Sequence, residues 1–288
     1  MLEWANTLLQ GILTGGVYAL FAIGLSLAYG VMKLVNIAHG DFIALAAYIA
    51  LLAMSGTGLN PFIILPFVVV VMFGLGYLLQ RTTLNRALGH DILPPLLITF
   101  GMSVIIQNGL LELFSADAKV LPIGDLATAS LNVADEITLG VFPLITFITA
   151  IAITAGLSQL FKKTTLGIAL RATSDDQGTA RLMGIKDLHI YGLAMGIAFA
   201  VMAVGGVFMG MKNSFTPDVG PQFLIYAFES VVIGGMGSIW GTFAGALLLG
   251  VAQGLGYMIG PGWGLLTGHL VFLAVLLFKP NGLFSRTS

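Results

Sequence analysis

Carboxylates and imidazoles set inside apolar runs are the residues of this chain best placed to do chemistry. Glu229 stands in FLIYAFESVVIG and is the one carboxylate deep in a C-terminal apolar run. An ionisable group at membrane depth is expensive and normally faces a cavity or a partner. Glu229 therefore reads as a lining residue of a solute path or a polar anchor beside one. The competing reading, a helix-end residue near the outer interface some seven residues after Gln222, stays open. His39-Gly40-Asp41 opens a second apolar run. A short Asp ahead of such a run reads first as a helix N-cap. A proton-relay or substrate role for His39 and Asp41 is the alternative, and Gly40 would permit close backbone approach. His269, in GLLTGHLVFLAV, reads as hydrogen-bonded to a neighbouring helix. Gln107, Asn108 and Glu112 read as interhelical glue or interface residues. Gly237, Gly241 and Gly245 recur at small-xxx-small spacing, the mark of tight helix packing, within this chain or against another.

Other chemistries find no residues. With no cysteine there is no disulfide, thiol nucleophile or Cys-ligated zinc. The four histidines (39, 90, 189 and 269) show no HExxH or other metal spacing. No lysine follows a glycine, so there is no phosphate-binding Gly-Lys-Ser/Thr loop. A net charge of −1 gives no electrostatic case for nucleic acid. No nucleophile–base pair, carboxylate dyad or cofactor motif appears. These absences point to a passive pathway rather than an enzyme.

The elements that must hold these residues are membrane helices. Of 288 residues, 57% are apolar and 9% charged, against about 25% charged in soluble domains. The 38 glycines are close to twice the usual share of ~7%, as fits helices that approach closely in lipid. A span needs about 20 mostly apolar residues, and candidates lie near 6–30, 41–57, 61–80, 94–115, 137–161, 189–211, 222–251 and 263–279. The expectation is an all-α polytopic integral membrane bundle of about eight transmembrane helices, or nine if the long seventh run is broken at Gly234-Gly235 and Gly237-Ser238. Met1-Leu2-Glu3-Trp4 carries no basic n-region, so the first run reads as a retained span. No internal repeat is evident, although an inverted repeat need not show in sequence. The positive-inside rule places Arg81, Arg86, then Lys162, Lys163, Arg171, Arg181 and Lys186, then Lys279 and Arg286 in the cytoplasm. It places the acidic 116–136 loop, with Asp117, Asp125, Asp135 and Glu136 against Lys119, outside. Eight single spans would strand the C-terminus on the wrong side, and a double crossing within 222–251 would remove that conflict.

The segment 162–188, KKTTLGIALRATSDDQGTARLMGIKDL, is polar enough to leave the membrane. Leu166, Ala169, Leu170, Ala172, Ala180, Leu182 and Ile185 nevertheless keep helical spacing. A short amphipathic helix must lie against something, either the membrane domain as a connector or a cytoplasmic partner. Arg171 and Asp175 are spaced to pair on its exposed face.

The stretch TxxGxALRAxxxDxxxAxLxGI, beginning at Thr164 and taking in Thr165, closely resembles the cytoplasmic loop of the branched-chain amino acid ABC transporter permease family. Three further stretches match the same family: 24–30 with 36–42, 97–103 with Gln107-Asn108, and 229–238 with Gly241 and Gly245. The matches run the length of the chain, with the H-type branch of high-affinity Leu/Ile/Val systems the most similar. The resemblance implies one transmembrane permease domain over residues 1–288, in the bacterial cytoplasmic (inner) membrane. It implies a second permease subunit of a different chain, two cytoplasmic ATPase subunits, an extracytoplasmic solute-binding protein, and transport by alternating access. Residues 162–188 would then be the ATPase coupling loop, with Thr165, Gly167, Arg171, Ala172, Asp175, Ala180, Leu182 and Gly184 on it. Glu229, His39, Asp41, Gly237, Gly241 and Gly245 would be pathway or packing residues. The rival is an ion-coupled secondary transporter or channel for a small polar solute, which would carry its own coupling charges within the membrane.

Overall fold

A computed structural model describes residues 2–88, 91, 93–134 and 137–284. His90, Asp135, Glu136 and Arg286, which entered the sequence reading, lie outside the described residues. The helices are α1 (Leu2–Met32), α2 (His39–Thr57), α3 (Pro61–Leu79, continued through a π turn to Ala87) and α4 (Leu93–Phe114). A small antiparallel hairpin, β1 (Ser130–Ala134) and β2 (Ile137–Gly140), leads into α5 (Val141–Lys163). Two short helices follow, α6 (Thr165–Asp175) and α7 (Gln177–Leu182). The chain closes with α8 (Asp187–Lys212), α9 (Gly220–Gly234), α10 (Ile239–Ile259) and α11 (Trp263–Phe278). Seven of these helices are long and apolar enough to cross a bilayer, and α11 is a shorter apolar one. Local chemistry sets the boundaries. Asn60 accepts the Phe62 amide at 3.0 Å ahead of Pro61, the first residue of α3. Gly58, at φ 69°, closes α2 in the left-handed region that glycine tolerates.

The seventh run of the sequence is two helices, not one. Gly235 and Gly237 turn the chain at φ 102° and 84°, and α9 and α10 return as an antiparallel pair. Gly237 therefore lies in the turn and not on the helix that carries Gly241 and Gly245. A Cβ on Gly241 would meet the Gly234 carbonyl, and one on Gly245 the backbone of Ser230 and Gly234. The tight packing anticipated for this ladder is thus internal to the chain.

Two of the helices start partway through the bundle. His39 opens α2 with its Nε2 2.8 Å from the carbonyl of Phe21, in the middle of α1. The segment 33–38 must therefore fold back from the foot of α1 to reach it. Likewise 213–219 turns back from the end of α8, packing Phe215 edge-on against Tyr48 at 5.0 Å, before α9 begins at Gly220. Gly40 and Gly220 then meet backbone to backbone.

These parts form an inverted repeat of the kind that need not show in sequence. Helices α1 to α4 correspond to α8 to α11, each set being a long helix, one that starts within the bundle and two more. The long helices run antiparallel, since Gly24 faces Ala198 while Gly205 faces Leu20 and Phe21. Gly11, Gly15, Ala19, Ala22 and Gly24 pair at one constant spacing with Gly192, Gly196, Ala200, Ala203 and Gly205. The glycines do equivalent work in each half. Gly11 and Gly15 admit the backbone of α10, and Gly192 and Gly196 admit Tyr77 and Phe73 of α3.

The three basic regions gather at one end. Asn85 donates to the Leu188 carbonyl, placing the end of α3 beside the start of α8. Ser174 donates to the Gly30 carbonyl, Gly30 abuts Gly237, and the 282–284 tail bonds to Ile233 and Gly234. At the other end, Lys119 pairs with Phe215 and Gln10 donates to the Thr138 carbonyl. The seventh run is divided into two antiparallel helices, the arrangement that the charge count called for, although α9 is not among the seven helices long and apolar enough to cross a bilayer. Because the chain has no cysteine, single cysteines report sidedness cleanly. Ser130→Cys should react with an impermeant thiol reagent on intact cells, and Lys163→Cys only after permeabilisation. The reverse labelling pattern would invert the orientation.

Candidate functional site

At the centre of the bundle the N-termini of α2 and α9 face one another, and Asp41 lies between them. Asp41 is 1% exposed. It is not the N-cap expected from sequence: the helix starts at His39, the cap position is Ala38, and no side chain caps it. Asp41 instead sits in the first turn, where its carboxylate packs against Gly220 and accepts from Gln107 Nε2 at 2.9 Å. A carboxylate there opposes the positive ends of two helices at once. Gln107 also donates to Ser103 at 3.1 Å, and Thr99, two turns earlier, accepts the Ile37 amide at 3.2 Å. Thr99, Ser103 and Gln107 thus form a stripe on α4 that holds the re-entrant segment and Asp41. Gln107 fits its reading as interhelical glue, and Asn108 bonds back to its own helix at Val104. His39 is fully buried with its Nε2 spent on the Phe21 carbonyl, an acceptor, so that nitrogen carries the proton. That is the geometry of a satisfied packing histidine.

Glu229 and His269, singled out separately in sequence, are partners. The His269 Nδ1 meets Glu229 Oε1 between α11 and α9. Glu229 is 4% exposed, and its second oxygen has no hydrogen-bond partner. The His269 side chain is 42% exposed on the outer surface of the bundle. Nearby, Tyr18 donates to Gln253 at 2.6 Å and stacks on Tyr226 at 4.8 Å, and Gln222 donates to the Tyr226 hydroxyl at 2.7 Å. This belt opens outward into a cleft of about 410 Å³ lined by Asn6, Thr7, Gln10, Tyr18, Gln253 and Tyr257. The outer face of α9 adds exposed Gln222, Ile225 and Phe228. Its counterpart α2 buries the corresponding turns. Polar side chains at this depth do not face lipid without cost.

The 162–188 segment is two helices broken at Asp176 rather than one. Thr164 caps α6 through the Gly167 amide, and Asp176 caps α7 through the amide and hydroxyl of Thr179. Those Thr179 bonds hold the Asp176 carboxyl below the usual range. Gly167, Leu170 and Ala180 face inward, and a Cβ on Gly167 would strike the last turn of α5. Ala172 is half-buried; Thr165 and Asp175 are exposed. Gly184, at φ 82°, is exposed and turns the chain after α7. Arg171 and Asp175 do not pair; Arg171 Nε is buried without a partner. Asp187, missed in sequence, clamps α7 instead. Its Oδ2 accepts from Arg181 at 2.6 and 3.0 Å and from Gln177 at 2.6 Å. Leu182, expected on the apolar face, is instead 87% exposed, and Met183 79%. Arg81, Arg86, Arg181 and Lys186 border a groove beside this tip. Among the described residues no three His, Cys, Asp or Glu side chains gather as metal ligands.

Helices that begin at the centre of an inverted repeat, with a short helical loop at one end, define a multi-pass membrane protein of the transporter class. The family described as branched-chain amino acid transport system, permease component, matches residues 7–279, and the chain belongs to it. It is 32% identical to the high-affinity branched-chain amino acid transport system permease protein BraD of Pseudomonas aeruginosa, over 99% of this chain and 96% of BraD. The corresponding permease protein LivH of Escherichia coli is 28% identical, over 99% of this chain and 96% of LivH. Among solved structures, PsaBC from Streptococcus pneumoniae in complex with Fab shares the fold, with a TM-score of 0.50 at 20% identity over 96% of this chain and 93% of that one. The family resemblance drawn from the motifs is borne out.

The packing at Gly40 makes one requirement plain. Gly40→Ala puts a methyl into the Gly220 carbonyl and the Leu224 amide, neither of which can move without the other half-helix. Such overpacking costs about 3 kcal/mol or more. The variant should lose folded protein in detergent, read by size-exclusion and thermal unfolding. A Gly40→Ala chain as stable as the parent would contradict the close contact.

Proposed function

We propose that this chain is the membrane-spanning permease subunit of an ABC importer for branched-chain or related amino acids, worked by ATPases on other chains. The observation that carries the coupling reading is the apolar tip Leu182-Met183, exposed on a loop outside the spans and bordered by four cations. An apolar centre with a charged rim is how a docking surface is built. No phosphate-binding Gly-Lys motif occurs in this sequence, so ATP must be bound elsewhere. On this reading residues 1–288 are one permease domain and 162–188 its cytoplasmic coupling loop. Leu182 and Met183 seat in an ATPase. Thr165 and Asp175 lie at its margin, Gly167 and Ala180 fold the loop back on the membrane domain, and Gly184 shapes the turn. A second permease, a different chain, covers the exposed face of α9 and His269, and the solute passes between the two. An extracytoplasmic binding protein delivers it to the face bearing the β1–β2 hairpin. Glu229 borders the path, held by His269. His39, Asp41, Gly237, Gly241 and Gly245 pack the half-helices on which alternating access turns. The relatives' names supply the solute class.

Leu182→Asp removes about 2 kcal/mol of buried apolar surface at such a seat. It should leave the permease at normal levels in the membrane and weaken co-purification of the ATPase about thirtyfold, since 1.4 kcal/mol is a factor of ten. Undiminished association would remove the loop from the interface.

The pairing of the buried Glu229 with His269 is the observation that favours an ion-coupled transporter. Proteoliposomes separate the two. Permease alone, given a proton or sodium gradient and labelled leucine, should accumulate nothing, whereas the complex with ATPases, binding protein and ATP should. Gradient-driven uptake by this chain alone would establish the rival.

A further inference from the structure

We propose that the pocket between the coupling loop and the membrane domain is a binding site for a phosphate group, with an anionic phospholipid headgroup or free phosphate as its source. The pocket holds about 250 Å³ where four elements converge: the end of α1, the end of α5, α6 and the start of α10. Two cations, Lys162 and Arg171, line it, together with four serines, Ser26, Ser158, Ser174 and Ser238. One carboxylate, Asp175, also lines it and is exposed to solvent. The lining therefore carries one more positive charge than negative.

The cations are uncommitted. Arg171 is half-buried and its Nε, shielded from solvent, has no hydrogen-bond partner. Among the described residues no carboxylate lies within ion-pair distance of Arg171 or Lys162, although Asp175 is in the same lining. A buried guanidinium nitrogen without an acceptor is costly, and a tetrahedral oxyanion supplies several acceptors at once. The first turn of α10 adds the positive end of a helix, with Ser238 as its cap. Ser158 and Ser238 supply hydroxyl donors that do not need charge, the Ser174 proton being given to the Gly30 carbonyl. Carboxylate-bearing peptides are a poorer match, because the space is small and the site is at the membrane edge. Trp240, 48% exposed beside it, is an interfacial residue by type. Basic pockets between helices on the cytoplasmic side are where anionic headgroups bind.

Occupancy would join Arg171 and Ser174 of α6 to the ends of α1, α5 and α10, stiffening the loop against the domain it must move. The site is independent of which solute the permease carries.

The full chain in neutral detergent is titrated with phosphatidylglycerol, phosphatidylcholine and inorganic phosphate, and followed by native mass spectrometry and thermal unfolding. Phosphatidylglycerol should bind and raise the unfolding temperature, and phosphatidylcholine should bind more weakly. Lys162→Gln should weaken the phosphatidylglycerol effect roughly fivefold. Lys163→Gln, which alters an exposed lysine next to the pocket but outside its lining, should leave it unchanged. Stabilisation by inorganic phosphate alone, sensitive to Lys162→Gln, would assign the site to the free anion. Should Lys162→Gln misfold, Ser158→Leu, which fills the pocket without altering charge, replaces it. Equal responses from Lys162→Gln and Lys163→Gln, or no response to either phosphate source, would overturn the proposal.

Discussion

The fold depends on two helix N-termini meeting inside the bundle. A helix that begins at membrane depth leaves its first amides without partners, and lipid offers none. Here the two deficits are placed face to face and share one anion, Asp41, whose carboxylate packs on Gly220 and is held by Gln107. That arrangement dictates much else. Only glycine fits at 40 and 220. Helix α4 must present an acceptor at Thr99 and a donor at Gln107 on one stripe. The re-entrant segments must turn sharply, as Asn36 does by accepting the Ala38 amide at 3.0 Å. A buried carboxylate is unfavourable by itself; between two helix dipoles it becomes the element that fixes their separation.

The spans were legible because hydropathy is additive along a chain. The first six and the last fall within a few residues of the runs in sequence, and Asn60-Pro61 and the left-handed Gly58 mark the boundary between two of them. The break in the seventh was signalled by its glycines, although periodicity alone did not separate α9 from α10. What sequence could not yield was pairing over distance. Asp41 and Gln107 are 66 residues apart, and Glu229 and His269 are 40 apart. Each was noticed singly. Asp41 was read as a cap because a helix start at His39, without any side-chain cap, has no local signature. The repeat escaped because its equivalence lies in glycine and alanine positions scattered through runs where such residues are common. In the 162–188 segment the motif located the loop but not the break at Asp176, after which Leu182 is turned outward.

The two halves are alike in architecture and unlike in exposure. Half-helix α2 is enclosed, while α9 shows Gln222, Ile225 and Phe228 on its outer face. A symmetric origin does not require this. A chain that worked alone would have reason to cover both. One exposed half-helix, flanked by the Tyr18–Gln253 and Glu229–His269 pairs, is what a subunit needs if its path is completed by a second chain. The outer faces of α3 and α4, by contrast, expose mainly large apolar side chains, among them Ile63, Phe67, Val70, Leu97, Phe100 and Ile105.

On the proposed coupling reading, the junction of α6 with α1 and the α9–α10 turn gains a mechanical meaning. Ser174 of α6 holds the end of α1 at Gly30, Gly30 rests on Gly237 in the α9–α10 turn, and the 282–284 tail bonds to the last residues of α9. If 162–188 is the coupling loop, as proposed, a displacement of it would be delivered to the lower end of α9. The upper end of α9 abuts Gly40 and Asp41 and cannot advance without moving α2. Helix α9, about 22 Å long at 1.5 Å per residue, is a short rigid link between the loop and the centre. Interfaces packed this closely are bistable rather than elastic, so a shift at Gly237 would be answered by a change of register at Gly220, not by gradual bending. On that account, the glycines at 234, 241 and 245 serve motion as well as fit. They keep α9 pressed to α10, so that on this reading the two would move together.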